Sequence, residues 1–421
     1  MKLHRSIGLL LFLPFADATS AAPEFRTDIN PALRYYQAYL KTPQLGSADH
    51  DYLFVPEWRG KKLDERFGSL IGTYGGQFKF LRAAAHATVP CDWGIDMSEG
   101  PYTLMLGLAP AKAAAQTARL RVMWHLQNGR QADAGDDLLA AFVLGRNLTR
   151  DGTTISALVQ FAIENIIGSI IAENFFQWQP DTLRQIADGL DASPARGTIA
   201  QSLAVEKTSF CDWLLRKIRQ LQQENPGNDA KVLEKVREVF DLAAGSTEEG
   251  EDKGFPDRVL AAAGGKVDRL LALVQEMAPL YDKAAALEAL PPAEFEPQIK
   301  QFMTFISTHP NPLVRKFFPF LEPCRTKEFA AQAKLAMVRA GIEYKLRGNA
   351  GLQSVTDPFG NGPFSLRRFV LDGQDRGFEL KSDYHGRGFD EVLIFVEKDG
   401  PPFKTDWKDA GQPVPKRAPK K

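Results

Sequence analysis

Asp151-Gly152-Thr153-Thr154-Ile155-Ser156-Ala157-Leu158-Val159-Gln160-Phe161-Ala162-Ile163-Glu164-Asn165-Ile166-Ile167-Gly168-Ser169-Ile170-Ile171 decides how this chain folds. Asp151-Gly152 turns the backbone. Thr153 or Thr154 then offers a side-chain oxygen to the unpaired N–H groups of a new helix. The helix runs to about residue 176. It is apolar on most sides, through Leu158, Phe161, Ile163, Ile166, Ile167, Ile170 and their neighbours. Such a helix belongs in the middle of a domain. Glu164 and Asn165 interrupt it. A buried carboxylate needs a partner, and arginine is the natural one, so a structural hydrogen-bond network is expected there.

Upstream, residues 111–127 place Ala113, Thr117, Leu120 and Trp124 at helical spacing, with Ala114, Met123 and Leu126 beside them. Asn128-Gly129 stops that helix. Arg130 opens another, with Leu138, Phe142, Gly145 and Leu148 on one face. Connections this short make the helices antiparallel neighbours. The segment 128–144 is similar to the turn and second helix of a tetratricopeptide repeat. A clean period of roughly 34 residues is missing, so an irregular antiparallel helical bundle or short helical solenoid is the expected form.

Further upstream, Asn30 caps and Pro31 opens a helix that continues through Tyr36 to Leu40. A second helix is expected over 62–87. Downstream, 180–190, 195–224, 230–244, 256–287 and 292–307 all carry apolar residues at helical spacing. The stretch 245–254 has no apolar residue and reads as a solvated loop. His309-Pro310-Asn311-Pro312 ends the helical run. The pattern then changes. A helix over 326–347 precedes three alternating stretches, 364–371, 378–382 and 391–397, with turn residues between them. One helix on a small antiparallel sheet is expected. The predicted organisation is a signal peptide at 1–18, a helical domain at 19–312, a small α+β domain at 322–398 and a basic, proline-rich, disordered tail at 399–421.

The leader rests on Lys2, His4 and Arg5, an apolar run over 7–15, and the small residues of Ala16-Asp17-Ala18. That run is too short to cross a bilayer, and no membrane span is expected in the mature chain. The 52 basic and 52 acidic residues balance, which gives no reason to expect a nucleic-acid partner. A periplasmic or secreted protein with three cysteines has room for one disulfide. Cys-Asp-Trp occurs at Cys91 and again at Cys211, and these two are the disulfide candidates, with the other pairings open.

Motifs for catalysis are missing from the sequence. There is no Gly-x-Ser-x-Gly elbow, no His-Glu-x-x-His pair and no phosphate-binding glycine loop. His125 reads as a packed or surface histidine. Asp92, Asp96 and Glu99 form the best catalytic candidate, because paired carboxylates do acid–base work when burial separates their pKa values. The same acids, placed before a helix, also serve as caps.

Two resemblances add to this. Leu33-Arg34-Tyr35-Tyr36-Gln37-Ala38-Tyr39, Cys91-Asp92-Trp93-Gly94 and 129–148 make region 31–176 look like a set of exported helical proteins of planctomycete- or verrucomicrobium-type bacteria. That set implies a compartment and a helical fold and brings no activity. Over 326–395, the turn Thr356-Asp357-Pro358-Phe359-Gly360-Asn361-Gly362-Pro363-Phe364 and the later Gly377-Phe378-Glu379-Leu380-Lys381-Ser382-Asp383 are similar to the globular head of type II secretion pseudopilins. In that family a helix follows a cleaved leader into a membrane; here it sits mid-chain. The resemblance implies calcium on the 382–391 loop through Asp383 and Asp390, although a calcium ion takes six to eight oxygens. The expected function is a non-catalytic binding or scaffold protein of the cell envelope, with an envelope protein or cell-surface polymer as partner. The alternatives are an envelope hydrolase using Asp92, Asp96 and Glu99, and an accessory module of a secretion apparatus.

Overall fold

The computed structural model describes residues 28–244, 254–318, 321–371, 373–386 and 389–398. The expected leader at 1–18, the loop at 245–254 apart from Gly254, and the tail at 399–421 lie outside the described residues. The protein is mainly helical, with a three-stranded antiparallel sheet near its C-terminus. The sheet comprises β1 (Ser365–Leu371), β2 (Gln374–Gly386) and β3 (Phe389–Val396), in the order β1-β2-β3.

The central hairpins form as the sequence predicts. Helices Leu108–Gln127 and Gln131–Leu148 are joined through Gly129 at φ 69°, a conformation that glycine adopts without strain. Gly152, at φ 77°, makes the next reversal. Thr153 caps the core helix Thr154–Glu173 by accepting from Ser156 N. Gly145 lets the second and third helices close up, since a Cβ there would stand 2.9 Å from Ile163 Cγ2. Thr154–Glu173 is long and apolar enough to cross a bilayer, with a mean hydropathy of 1.7, yet 61% of that window is buried among neighbouring helices.

Elsewhere the helices are shorter than the periodicity suggests. The expected helix over 62–87 divides into Glu65–Gly72 and Gly75–Ala85 at a glycine-rich joint. The one over 256–287 becomes Phe255–Ala263, Val267–Gln275 and Ala278–Glu288. Gly264 and Gly265, both at positive φ, make the first break. The one over 195–224 begins at Ile199 and passes through a π-helical stretch, Lys207–Asp212, before Trp213–Glu224. Apolar spacing persists across such joints, so a period count alone does not see them.

The long helix Leu321–Arg347 unites the molecule. Its Ala333, Met337, Val338 and Ile342 join the largest core, along with Ile163, Ile167 and Ile170 of the core helix. The sheet packs into that same core. Phe175 meets Phe378 at 5.7 Å and Phe395 at 4.9 Å, ring centre to ring centre, and Phe378 stacks on Phe395 at 4.8 Å. Each of these rings buries roughly 2–3 kcal/mol of apolar transfer free energy. A second core, running from Leu203 through the helices between 213 and 318, also draws in Phe329 and Tyr384.

Candidate functional site

The acids singled out from sequence do not converge. Asp92 is exposed and accepts from Gly94 N at 2.9 Å. Asp96, also exposed, caps the short turn Met97–Tyr102 by accepting from Ser98 N at 2.8 Å. That backbone bond holds its carboxyl below the ordinary aspartate value. Glu99 is exposed. These carboxylates lack the burial that would separate their proton affinities, and two of them are occupied in fixing turns.

The candidate disulfide is not formed. Cys91, Cys211 and Cys324 are free, buried thiols, each in a different apolar cluster. Burial pushes Cys91 and Cys211 up to about 12 and Cys324 up to about 11, which leaves all three as unreactive thiols at neutral pH. The two Cys-Asp-Trp triplets adopt different backbones: the first lies in an extended loop, the second spans the end of the π-helical stretch.

Of the two calcium candidates, Asp390 is engaged by neighbouring side chains. Asp390 sits 2.6 Å from Lys381 Nζ and 2.7 Å from His385 Nδ1, and these contacts hold its carboxyl below the ordinary value. Asp383 is exposed. No group of three His, Cys, Asp or Glu side chains poised for a metal occurs among the described residues. The residue that organises this loop is Asp357. Its buried carboxylate accepts from Ser382 Oγ at 2.9 Å, Asp383 N at 2.6 Å and Phe359 N at 3.0 Å, which pins the Asp-Pro-Phe-Gly turn to β2.

Two networks of buried charge centre on carboxylates of the central helices. Asp137 receives Arg82 Nε at 2.7 Å and Arg121 Nε at 2.8 Å, and His125 Nε2 lies 3.1 Å away. Burial alone would raise its carboxyl, but these three partners outweigh it and lower the pKa. His125 is therefore a packed histidine. In the second network Glu164 is held by Arg146 and Arg196, each at 2.9 Å. Arg196 also donates to the Glu328 carbonyl at 3.2 Å, and Glu328 binds Arg325 at 2.7 Å. Burial raises the Glu164 carboxyl, and the arginines oppose that. The expected arginine partner of Glu164 is present, twice over.

The feature best suited to a ligand is a cleft of about 530 Å³ beside the core helix. Lys112, Gln116 and Arg119 reach it from Leu108–Gln127 at i, i+4 and i+7. Asn165 and Ser169 reach it from Thr154–Glu173, and Lys334 from Leu321–Arg347. Leu53, Phe54 and Pro56 close one side. Arg119 chelates Glu173 at 2.8 and 2.9 Å and reaches Glu57 at 3.2 Å. Burial works against its charge, but these carboxylates overcome that and raise its pKa. Neither Lys112 nor Lys334 has a carboxylate within ion-pair reach among the described residues. Asn165 Oδ1 is buried without a hydrogen-bond partner among the described residues. The lining holds cations, amides and one hydroxyl, with no carboxylate, histidine or thiol.

Family models, curated proteins and solved structures yield no match to this chain.

Sequence reading missed the cleft. The apolar stripe of 111–127 attracted attention, while Lys112, Gln116 and Arg119 form a separate polar stripe on the same helix. That stripe was visible at its i, i+4, i+7 spacing. Lys334, more than two hundred residues away, was not linked to it by any local pattern.

Proposed function

We propose that the protein is an exported, non-catalytic binding protein of the cell envelope, and that the cleft receives an anionic group carried by a cell-surface polymer or envelope protein. The observation that carries this reading is the meeting of Lys112, Lys334 and Arg119 in one cleft whose lining holds no carboxylate. Two ammonium groups without acidic partners among the described residues create a local positive potential in a chain whose overall charge is balanced. The volume falls within the usual range of ligand pockets. The basic and apolar start of the sequence supports export.

The test is retention of the full chain on immobilised dextran sulfate against uncharged dextran. The wild type is expected to bind the sulfated matrix in a salt-dependent way. K112E/K334E is expected to weaken binding by about tenfold or more, because each reversal replaces attraction with repulsion close to the ligand. Equal retention of wild type and double variant, at equal thermal stability, refutes the reading.

A further inference from the structure

A second cleft, of about 360 Å³, lies along the same two helices. Arg59, Lys61 and Lys62 line it, with Gln127, Asn174 and Gln177. The ion pairs of Arg119 stand between the two clefts. Arg119 lines the first, its partner Glu173 lines the second, and Glu57 links Arg119 at 3.2 Å to Arg59 at 2.9 Å. On the first helix the lining residues run 112, 116, 119, 120, then 123, 126, 127; on the core helix and its exit they run 162, 165, 166, 169, then 173, 174, 176, 177. From Lys112 to Gln127 this strip extends about 22 Å along the helix axis. Its two carboxylates, Glu57 and Glu173, are already paired with Arg59 and Arg119. The lysines at both ends are left to face a ligand.

We propose that the two clefts act as one strip that takes a linear, carboxylate-bearing polysaccharide, a proposal that rests on the anionic reading of the first cleft. Cations at both ends of the strip match a ligand with repeated negative charge better than they match a single ion. The amides Gln116 and Asn165 suit a chain dense in hydroxyls, since an amide offers both a donor and an acceptor; in the second cleft Gln127 is already bonded to Lys61 O and Leu63 N, and Asn174 to Ile170 O and Gln177. One partly exposed phenylalanine per cleft, Phe54 and Phe176, offers an apolar edge to the C–H face of a sugar ring. Nucleic acid fits less well, because its recognition draws on a broad positive field and this chain carries 52 basic against 52 acidic residues.

Galacturonate, trigalacturonate and long polygalacturonate fragments, titrated calorimetrically into the full chain, test this. Affinity is expected to rise at least about tenfold once a fragment reaches both clefts. K61E/K62E is expected to remove that gain, bringing polygalacturonate down to the affinity of trigalacturonate, and K112E/K334E to weaken every fragment. All four lysines are partly or fully exposed, so both variants should melt with the wild type. Short and long fragments of equal affinity overturn the strip and leave the single anionic cleft standing. Binding of dextran sulfate with no binding of any galacturonate overturns the carboxylate assignment. Tighter binding of single-stranded DNA than of polygalacturonate overturns the choice of polysaccharide. Failure of every polyanion removes the anionic cleft as well.

Discussion

Glu288 should make the protein lose stability as pH rises through neutrality. It ends the helix Ala278–Glu288, where the helix dipole already disfavours negative charge. Its side chain is fully buried, and both carboxyl oxygens lack a hydrogen-bond partner among the described residues. Burial pushes its pKa from 4.5 up to about 8; Arg325 opposes the shift and Glu328 adds to it. Arg325 directs Nη1 to Glu328 at 2.7 Å and Nη2 to the Leu290 carbonyl at 3.1 Å, and neither reaches Glu288. Between pH 4.5 and about 8 the folded chain therefore holds a proton that the unfolded chain has released. Stability falls with rising pH wherever the folded state binds more protons. At 1.36 kcal/mol per unit, the loss from this one group is about 3 kcal/mol at pH 7 and on the order of 4 kcal/mol at pH 8. Glu288→Gln keeps the shape of the protonated acid and cannot ionise. Urea unfolding of both chains at pH 5, 6, 7 and 8 should show near equality at pH 5 and a widening advantage for the variant above it. The difference between the two chains is the readout, since other titrating groups cancel. A difference that stays flat across that range refutes the argument.

Two further substitutions probe the core. Glu164→Ala strands Arg146 and Arg196 in the interior, and should cost about 3–5 kcal/mol by urea unfolding; a loss below about 1 kcal/mol would mean that water reaches the arginines. Gly341→Ala places a Cβ 2.4 Å from the Phe395 ring, which is itself stacked on Phe378 and has little room to yield. The expected cost is about 1–3 kcal/mol, and an unchanged urea midpoint would show that helix and sheet are not packed so closely.

How much of this was legible depends on the distance between the residues involved. Asn128-Gly129 and Asp151-Gly152 punctuate the hairpins locally, and the strands alternate locally, so both are found in the sequence. Glu164 announced its need for a cation through burial alone, because a carboxylate in an isoleucine-rich helix has no other stable option. Its partners could not be named, since Arg146 comes from the preceding helix and Arg196 from a loop further along. The cleft is less legible still. Two helices contribute its cations, Lys112 and Arg119 on one and Lys334 on the other, and no short window of sequence contains all three. The repeated Cys-Asp-Trp misled for the converse reason: the same triplet sits in two conformations, and each cysteine simply fills space in its own core.

The stretch that begins at Cys91 shows best how a motif can matter without being a site. Trp93 stacks on Tyr35 at 5.4 Å and donates to the Asn147 carbonyl at 2.8 Å, which anchors the loop to the first core. Asp96 fixes the turn that follows. Gly100, at φ 60°, then lies so close to Trp213 that a Cβ would come within 2.4 Å of the indole. Tyr102 meets the same indole at 5.7 Å and donates to the Val239 carbonyl at 2.8 Å. The loop is therefore a connector, clamped at one end to the central hairpins and at the other to the π-helical stretch and the second core. Its acids Asp92, Asp96 and Glu99 are exposed, while Trp93 and Gly100 are the buried anchors.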